Sequence, residues 1–158
     1  MRLTLASITP FEHRTGNILI IDDDPEVREL LETLLNDDGH VVKSAHDGIS
    51  ALEYVKQAKI KPDLILSDYN LPGGMTGVET KGKLRKVIGH YVPVIILTGD
   101  ISTSALRDIA DHDCVQLNKP VKPKVLSQEI QRLLYRHGSG DRLAAEAGRR
   151  VPGPDKSP

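Results

Sequence analysis

The sequence has no tryptophan, one phenylalanine and four tyrosines, so aromatics make up only 3% of its 158 residues. That scarcity argues against base-stacking platforms and aromatic-rich binding surfaces. Excess charge of one sign is also missing. Lys and Arg number 21 against 22 Asp and Glu, for a formal net charge of −1, so no net basic field points to nucleic acid. A single cysteine, Cys114, excludes an internal disulfide framework and a thiolate-cluster metal site. No apolar run approaches the roughly 20 residues of a membrane span. The N-terminal stretch Leu3–Ile8 is short, is interrupted by Thr4 and Ser7, and lacks a clear small-x-small cleavage site. These absences lead us to expect a soluble, cytoplasmic protein that contacts neither membrane nor nucleic acid. What is present is 39% apolar residues in one domain's length of chain, enough to bury about two-thirds of its unfolded surface without a covalent staple.

The near-neutral total hides a local bias. Residues 1–16 and 137–158 each sum to +1, which leaves 15 basic against 18 acidic groups, or −3, in residues 17–136. Three of those acids, Asp22, Asp23 and Asp24, are consecutive. The C-terminal stretch 137–158 is rich in Gly, Pro and charge with no sustained apolar period, and reads as a flexible tail. Residues 1–16 read as a leader or linker.

Between these ends the pattern alternates. Ile18–Ile21 is a short apolar run, as expected of a strand covered on both faces. Pro25 then suits a first helical position, and Val27, Leu30, Leu31, Leu34 and Leu35 follow at helical spacing until Gly39. Further on come a strand at Val41–Val42, a helix with Ala51, Leu52, Val55 and Ala58 on one face, and a strand at Leu64–Leu66. A Gly/Pro loop, Leu71–Gly74, leads to a helix over Gly77–Ile88 that its internal Gly82 weakens by about 1 kcal/mol. The last two units are a strand at Val92–Leu97 with a helix through Ala105, Leu106, Ile109 and Ala110, and a strand at Cys114–Leu117 with a helix through Leu126, Ile130, Leu133 and Leu134. Five β-then-α units imply an α/β domain with a parallel sheet and helices on both faces.

Ligands of such sheets bind outside the carboxyl ends of the strands. The residues at those ends are Asp22, Asp23 and Asp24; Ser67, Asp68 and Asn70; Thr98, Gly99 and Asp100; and Asn118, Lys119 and Pro120. Crowded carboxylates repel one another unless a cation joins them. An all-oxygen donor set without paired His or thiolate favours Mg²⁺ over zinc. A carboxylate is also a nucleophile capable of forming an aspartyl-phosphate. A Thr98 hydroxyl and a Lys119 ammonium suit the oxygens of a phosphoryl group, and Gly99 leaves the approach open. Asp24, directly before Pro25, reads as a helix cap. His40, His46, His90 and His112 are scattered and read as surface or loop residues, and Cys114 as structural.

Four segments, ILIIDDDP at 18–25, LILSDYNLPG at 64–73, IILTG at 95–99 and NKP at 118–120, together resemble the receiver domains of two-component response regulators. The phrasing is most similar to receivers attached to hybrid histidine kinases. The resemblance covers residues 17–136. It implies a flavodoxin-like, doubly wound five-stranded parallel sheet in the order 2-1-3-4-5 flanked by five helices. It also implies that Asp68 is the phosphoacceptor, catalysing only its own phosphorylation and dephosphorylation together with Thr98 and Lys119. Mg²⁺ would be held by Asp23 directly, by Asp22 mainly through water, by Asp68 and by the backbone carbonyl of Asn70. Lys119–Pro120 would be cis. Implied partners are a histidine kinase or a histidine phosphotransfer protein, with a weak homodimer besides, and the signal would leave through the fourth helix, fifth strand and fifth helix. Three departures stand out: the doubled Gly73-Gly74, Gln116 where an aromatic switch residue is common, and Val121 where Phe is frequent.

Two other readings compete. Asp22-x-Asp24 with Thr98 and Lys119 also resembles haloacid-dehalogenase-type phosphatases, with Asp22 as nucleophile and Asp24 as acid/base, but Asp68 would then have no role. A receiver-shaped module that is never phosphorylated would not need the intact set. With 22 residues after Arg136, no output domain is expected, and the chain is expected to act through protein contacts as a stand-alone receiver or as part of a hybrid kinase.

Overall fold

A computed structural model describes residues 13–138. Its elements alternate without exception: β1 (Asn17–Ile21), α1 (Pro25–Asp37), β2 (Val41–Ala45), α2 (Gly48–Lys56), β3 (Leu64–Asp68), α3 (Gly77–Ile88), β4 (Val94–Thr98), α4 (Thr103–Ala110), β5 (Val115–Asn118) and α5 (Pro123–Gly138). The strands form one parallel sheet in the order β2-β1-β3-β4-β5, the doubly wound arrangement expected.

The two-residue period of the strands divides the core. Ile18 and Ile20 of β1 point to one face, where Leu31 and Leu35 of α1 and Leu126, Ile130 and Leu133 of α5 cover them. Leu19 and Ile21 point to the other, under Ala51 of α2, Val78 and Leu84 of α3, and Ala105 and Ile109 of α4. β3 and β4 are buried along their whole length, in keeping with the apolar runs Leu64–Leu66 and Val94–Leu97 that open them. Among the described residues no helix is long and apolar enough to cross a membrane.

Local chemistry sets the element ends. Asp24 caps α1, its carboxylate accepting the Glu26 N–H at 2.9 Å, and Pro25 opens the helix. Thr76 and Glu79 form a reciprocal capping box at the start of α3. That box, with Val78 and Leu84 buried below it, outweighs the cost of Gly82. β4 begins two residues later than the apolar run because Pro93 has no N–H to give the ladder, although its carbonyl still accepts from Ile65 at 3.0 Å. α2 ends before Ala58, which sits in the following turn at φ 57°.

Two expectations need correction. His40 lies on the loop before β2, as one of the two readings had it, but it is 4% exposed rather than on the surface, and its Nδ1 accepts the Gly16 N–H at 3.2 Å. β5 begins at Val115, not Cys114; the half-buried Cys114 thiol instead faces the carbonyls of Ile109 and His112. The stretch just before β1 is tied down as well. Arg14 exchanges two 2.8 Å hydrogen bonds with the Gln131 side chain of α5 and lies over the Tyr135 ring at 4.6 Å. The expected tail, 137–158, overlaps the end of α5, which runs to Gly138, and residues 139–158 lie outside the described residues.

Candidate functional site

The register brings the strand ends together. Ile21 pairs with Ser67 and Asp68 with Leu97, so Asp22, Asp68 and Thr98 follow one another across β1, β3 and β4. Thr98 pairs with Asn118 of β5, and the Lys119 N–H donates to the Thr98 carbonyl at 2.9 Å, which places Lys119 at the same edge. Lys119–Pro120 is cis.

Asp22, Asp23 and Asp68 each bring a carboxylate oxygen within 4.8 Å of the others. Asp22 and Asp68 are buried and Asp23 is exposed. An ammonium enters between the carboxylates: Lys119 Nζ lies 3.1 Å from Asp68 Oδ2 and 3.3 Å from Asp22 Oδ2. Burial pushes the Asp68 carboxyl above its ordinary pKa; Lys119 and an N–H from Asn70 oppose the shift, and the Asp22 charge adds to it. For Lys119, burial acts downward, but the two carboxylates outweigh it and raise the ammonium's pKa. One ammonium shared between two buried carboxylates therefore leaves the pocket short of positive charge. The donor set is all oxygen and acidic, which fits a hard divalent cation.

Asp24 stands apart from the cluster as the α1 cap, and its N–H donates to Asp22 Oδ1 at 2.9 Å. Thr98 is buried, but its hydroxyl serves its own turn, accepting the Asp100 N–H at 2.9 Å and donating to the Asp100 carbonyl at 3.3 Å. Asn70 is exposed on the loop beyond β3, where it forms an isolated bridge with Thr76, and its side chain bonds Asp100. Gly73 and Gly74 of that loop both have φ 85°, so the departure in length is accommodated by two residues free to be left-handed. Gly77 closes the loop against β3: a Cβ there would meet the Asp68 carbonyl at 2.3 Å. Gln116, in the place of an aromatic, is half-buried and donates to Asn118 Oδ1 at 2.9 Å.

Two contacts were not anticipated from sequence. Arg28 Nη1 donates to the Asp22 backbone carbonyl at 2.7 Å. The Tyr69 hydroxyl, next in sequence to Asp68, donates to Asp108 of α4 at 2.9 Å, and burial, with Asp108, pushes this phenol up to about 12. Arg28 offered no side-chain signal, since its target is a backbone carbonyl. Tyr69 offered no local signal, since its partner is 39 residues away.

The response regulator receiver domain family matches residues 18–131. The chain belongs to that family, and is thus a receiver of two-component signalling. It is similar to the transcriptional regulatory protein CpxR homolog of Haemophilus influenzae, 35% identical over 127 residues, 78% of this chain and 52% of that protein. It is also similar to the DNA-binding response regulator MtrA of Mycolicibacterium smegmatis, 37% identical over 124 residues, 76% of this chain and 51% of that protein. The chain thus spans about half the length of these curated relatives. Among solved structures, it resembles the chemotaxis response regulator CheY4 of Vibrio cholerae, with a TM-score of 0.65 and 31% identity over 77% of this chain and 100% of that one. A response regulator receiver domain protein from Clostridium thermocellum matches with a TM-score of 0.68 and 27% identity over 78% and 97%. The phosphatase alternative has no support: Asp24, its acid/base, is a helix cap.

Proposed function

We propose that Asp68 accepts a phosphoryl group from a phosphohistidine and that Asp22, Asp23, Asp68 and the Asn70 carbonyl hold Mg²⁺. The observation that carries this reading is the position of Lys119 Nζ, 3.1 Å from Asp68 and 3.3 Å from Asp22, beside three converging carboxylates. The ion, when bound, offsets negative charge on the transferring group. An Asp68 carboxylate oxygen forms a bond to phosphorus as the bond to the donor's imidazole nitrogen breaks, the electron pair leaving with the imidazole. Lys119 stabilises one phosphoryl oxygen as a point charge. Thr98 is the second donor once its hydroxyl leaves the Asp100 turn, and that exchange couples the phosphoryl group to the loop before α4. Water later attacks phosphorus, the bond to the Asp68 oxygen breaks with its electron pair returning to the carboxylate, and inorganic phosphate leaves.

In this reading the receiver proper spans 17–136, with His13–Gly16 as the end of a leader tied onto it and the tail beyond. These residues carry a net −3 and work in the cytoplasm through a histidine kinase or phosphotransfer protein, with a weak homodimer as a further contact and none to DNA or membrane. The test is incubation with Mg²⁺ and a panel of phosphorylated kinases and phosphotransfer proteins, followed by mass spectrometry of the labelled residue. Label on Asp68, lost in Asp68→Asn, is expected. Label retained in Asp68→Asn and lost in Asp22→Asn overturns the assignment. Transfer in both directions marks a relay, and one-way transfer with fast hydrolysis marks a sink.

A further inference from the structure

Every polar group of Asp22 is engaged. Its N–H donates to the Ala45 carbonyl at 3.1 Å. Its Oδ1 accepts the Asp24 N–H at 2.9 Å, and its Oδ2 faces Lys119 at 3.3 Å. The remaining group, the backbone carbonyl, is held by the half-buried guanidinium of Arg28 at 2.7 Å. Arg28 is itself anchored, because it lies in the first turns of α1 and its N–H donates to the Asp24 carbonyl at 3.0 Å.

The consequence falls on the next residue. A peptide unit is planar, so a clamp on the Asp22 oxygen fixes the plane that carries the Asp23 nitrogen and Cα. Asp23 is exposed, and its carboxylate lacks the packing that orients Asp22 and Asp68. We infer that Arg28 is a positioning residue for the metal ligand Asp23, acting through the Asp22–Asp23 peptide. The inference rests on the metal-site reading proposed above.

The charge of Arg28 works the other way. A guanidinium near a cation site lowers the site's affinity for a divalent ion by simple repulsion. Positioning and repulsion therefore predict opposite signs for the loss of the side chain, and the sign of the change decides between them.

The experiment is a Mg²⁺ titration of the full chain, followed by calorimetry and by backbone amide shifts at 22–24 and 68–70, with thermal unfolding of each variant in EDTA. Arg28→Ala is expected to weaken Mg²⁺ binding about tenfold, the lower end of what outer-shell partners of metal ligands contribute. Arg28→Lys, which keeps the charge with a shorter reach and one donor head, should fall between the two. Both variants should stay fully folded at the titration temperature. Unchanged or tighter Mg²⁺ binding by Arg28→Ala overturns the inference, as does a loss matched by an equal loss of folded protein. If the wild-type chain binds no Mg²⁺, or binds it equally well as Asp23→Asn, the metal-site reading itself fails. Wild-type binding that depends on Asp23 but not on Arg28 sinks the positioning role alone.

Discussion

Asp68 occupies a position that is costly for folding. It is 8% exposed, and burial and the Asp22 charge outweigh Lys119 to hold its carboxyl above the ordinary range. A carboxylate whose folded-state pKa is raised removes stability as pH climbs through that interval, because the folded chain binds the proton more tightly than the unfolded one. Asp68→Asn removes the charge and keeps the shape, and Lys119 retains Asp22 at 3.3 Å. In metal-free buffer at neutral pH the variant should therefore melt about 3 °C higher, the shift that about 1 kcal/mol produces in a domain of this size. A thermal scan in EDTA checks this, and a lower midpoint contradicts it. The acidic triplet, Asp68, Thr98 and Lys119 were all legible in the sequence because each lies just beyond the last apolar residue of a strand, and strand ends of a parallel sheet share one edge. Arg28 was not, since its target is a backbone carbonyl and leaves no mark on side-chain patterning. Nor was the hydroxyl of Thr98, whose present partner is its own turn.

At the scale of elements, all ten were legible, because β1, β3 and β4 carry compact apolar runs, Val41–Val42 and the Val115/Leu117 alternation mark β2 and β5, and apolar residues recur at helical spacing in the helices between them. Their ends were less so. Ala58 was grouped with the α2 face by its spacing, yet it lies beyond the helix at φ 57°, where a β-carbon is disfavoured. There it takes the left-handed place that glycine usually fills after a helix. Ala58→Gly should relieve that strain, partly offset by the greater freedom of glycine in the unfolded chain, and stabilise the domain by about 0.5–1 kcal/mol. Urea unfolding with an unchanged m-value and a higher midpoint is the expected result; a lower midpoint would place the cost of glycine above the strain. Lys81 was equally hidden. On a helix read as weakened by Gly82, it is 7% exposed, and burial lowers its pKa. The groups that face Lys81 from elsewhere are Asp108, Asp113 and Cys114, far off in sequence, which no local pattern records.

At the scale of the whole described chain, the stretch His13–Gly16 just before β1 meets three elements at once. Gly16 pairs with β2 through the Val41 N–H at 3.0 Å and gives its own N–H to His40. His13 bonds the carbonyl of Asp38, the cap of α1, at 2.6 Å, and Arg14 is clamped to α5. An N–H directed at His40 Nδ1 requires that nitrogen to carry a lone pair, so the docked leader needs neutral His40. Burial lowers the His40 pKa below 6.5; Asp38 opposes the shift and His13, with ring centroids 6.0 Å away, adds to it. The unfolded chain therefore takes up a proton at a higher pH than the folded one. The stability this residue contributes is complete above about pH 6.5 and is lost as pH falls through the lower, folded-state value. Asp68 titrates with the opposite sign, so the Asp68→Asn chain is the cleaner background. There the melting temperature should fall between pH 7.5 and 5.5. Adding His40→Gln, whose amide oxygen accepts the Gly16 N–H at any pH, should flatten that slope and keep the leader amides protected from hydrogen exchange in acid. An equal slope with and without His40 would move the acid sensitivity to another group and leave the leader's docking independent of pH.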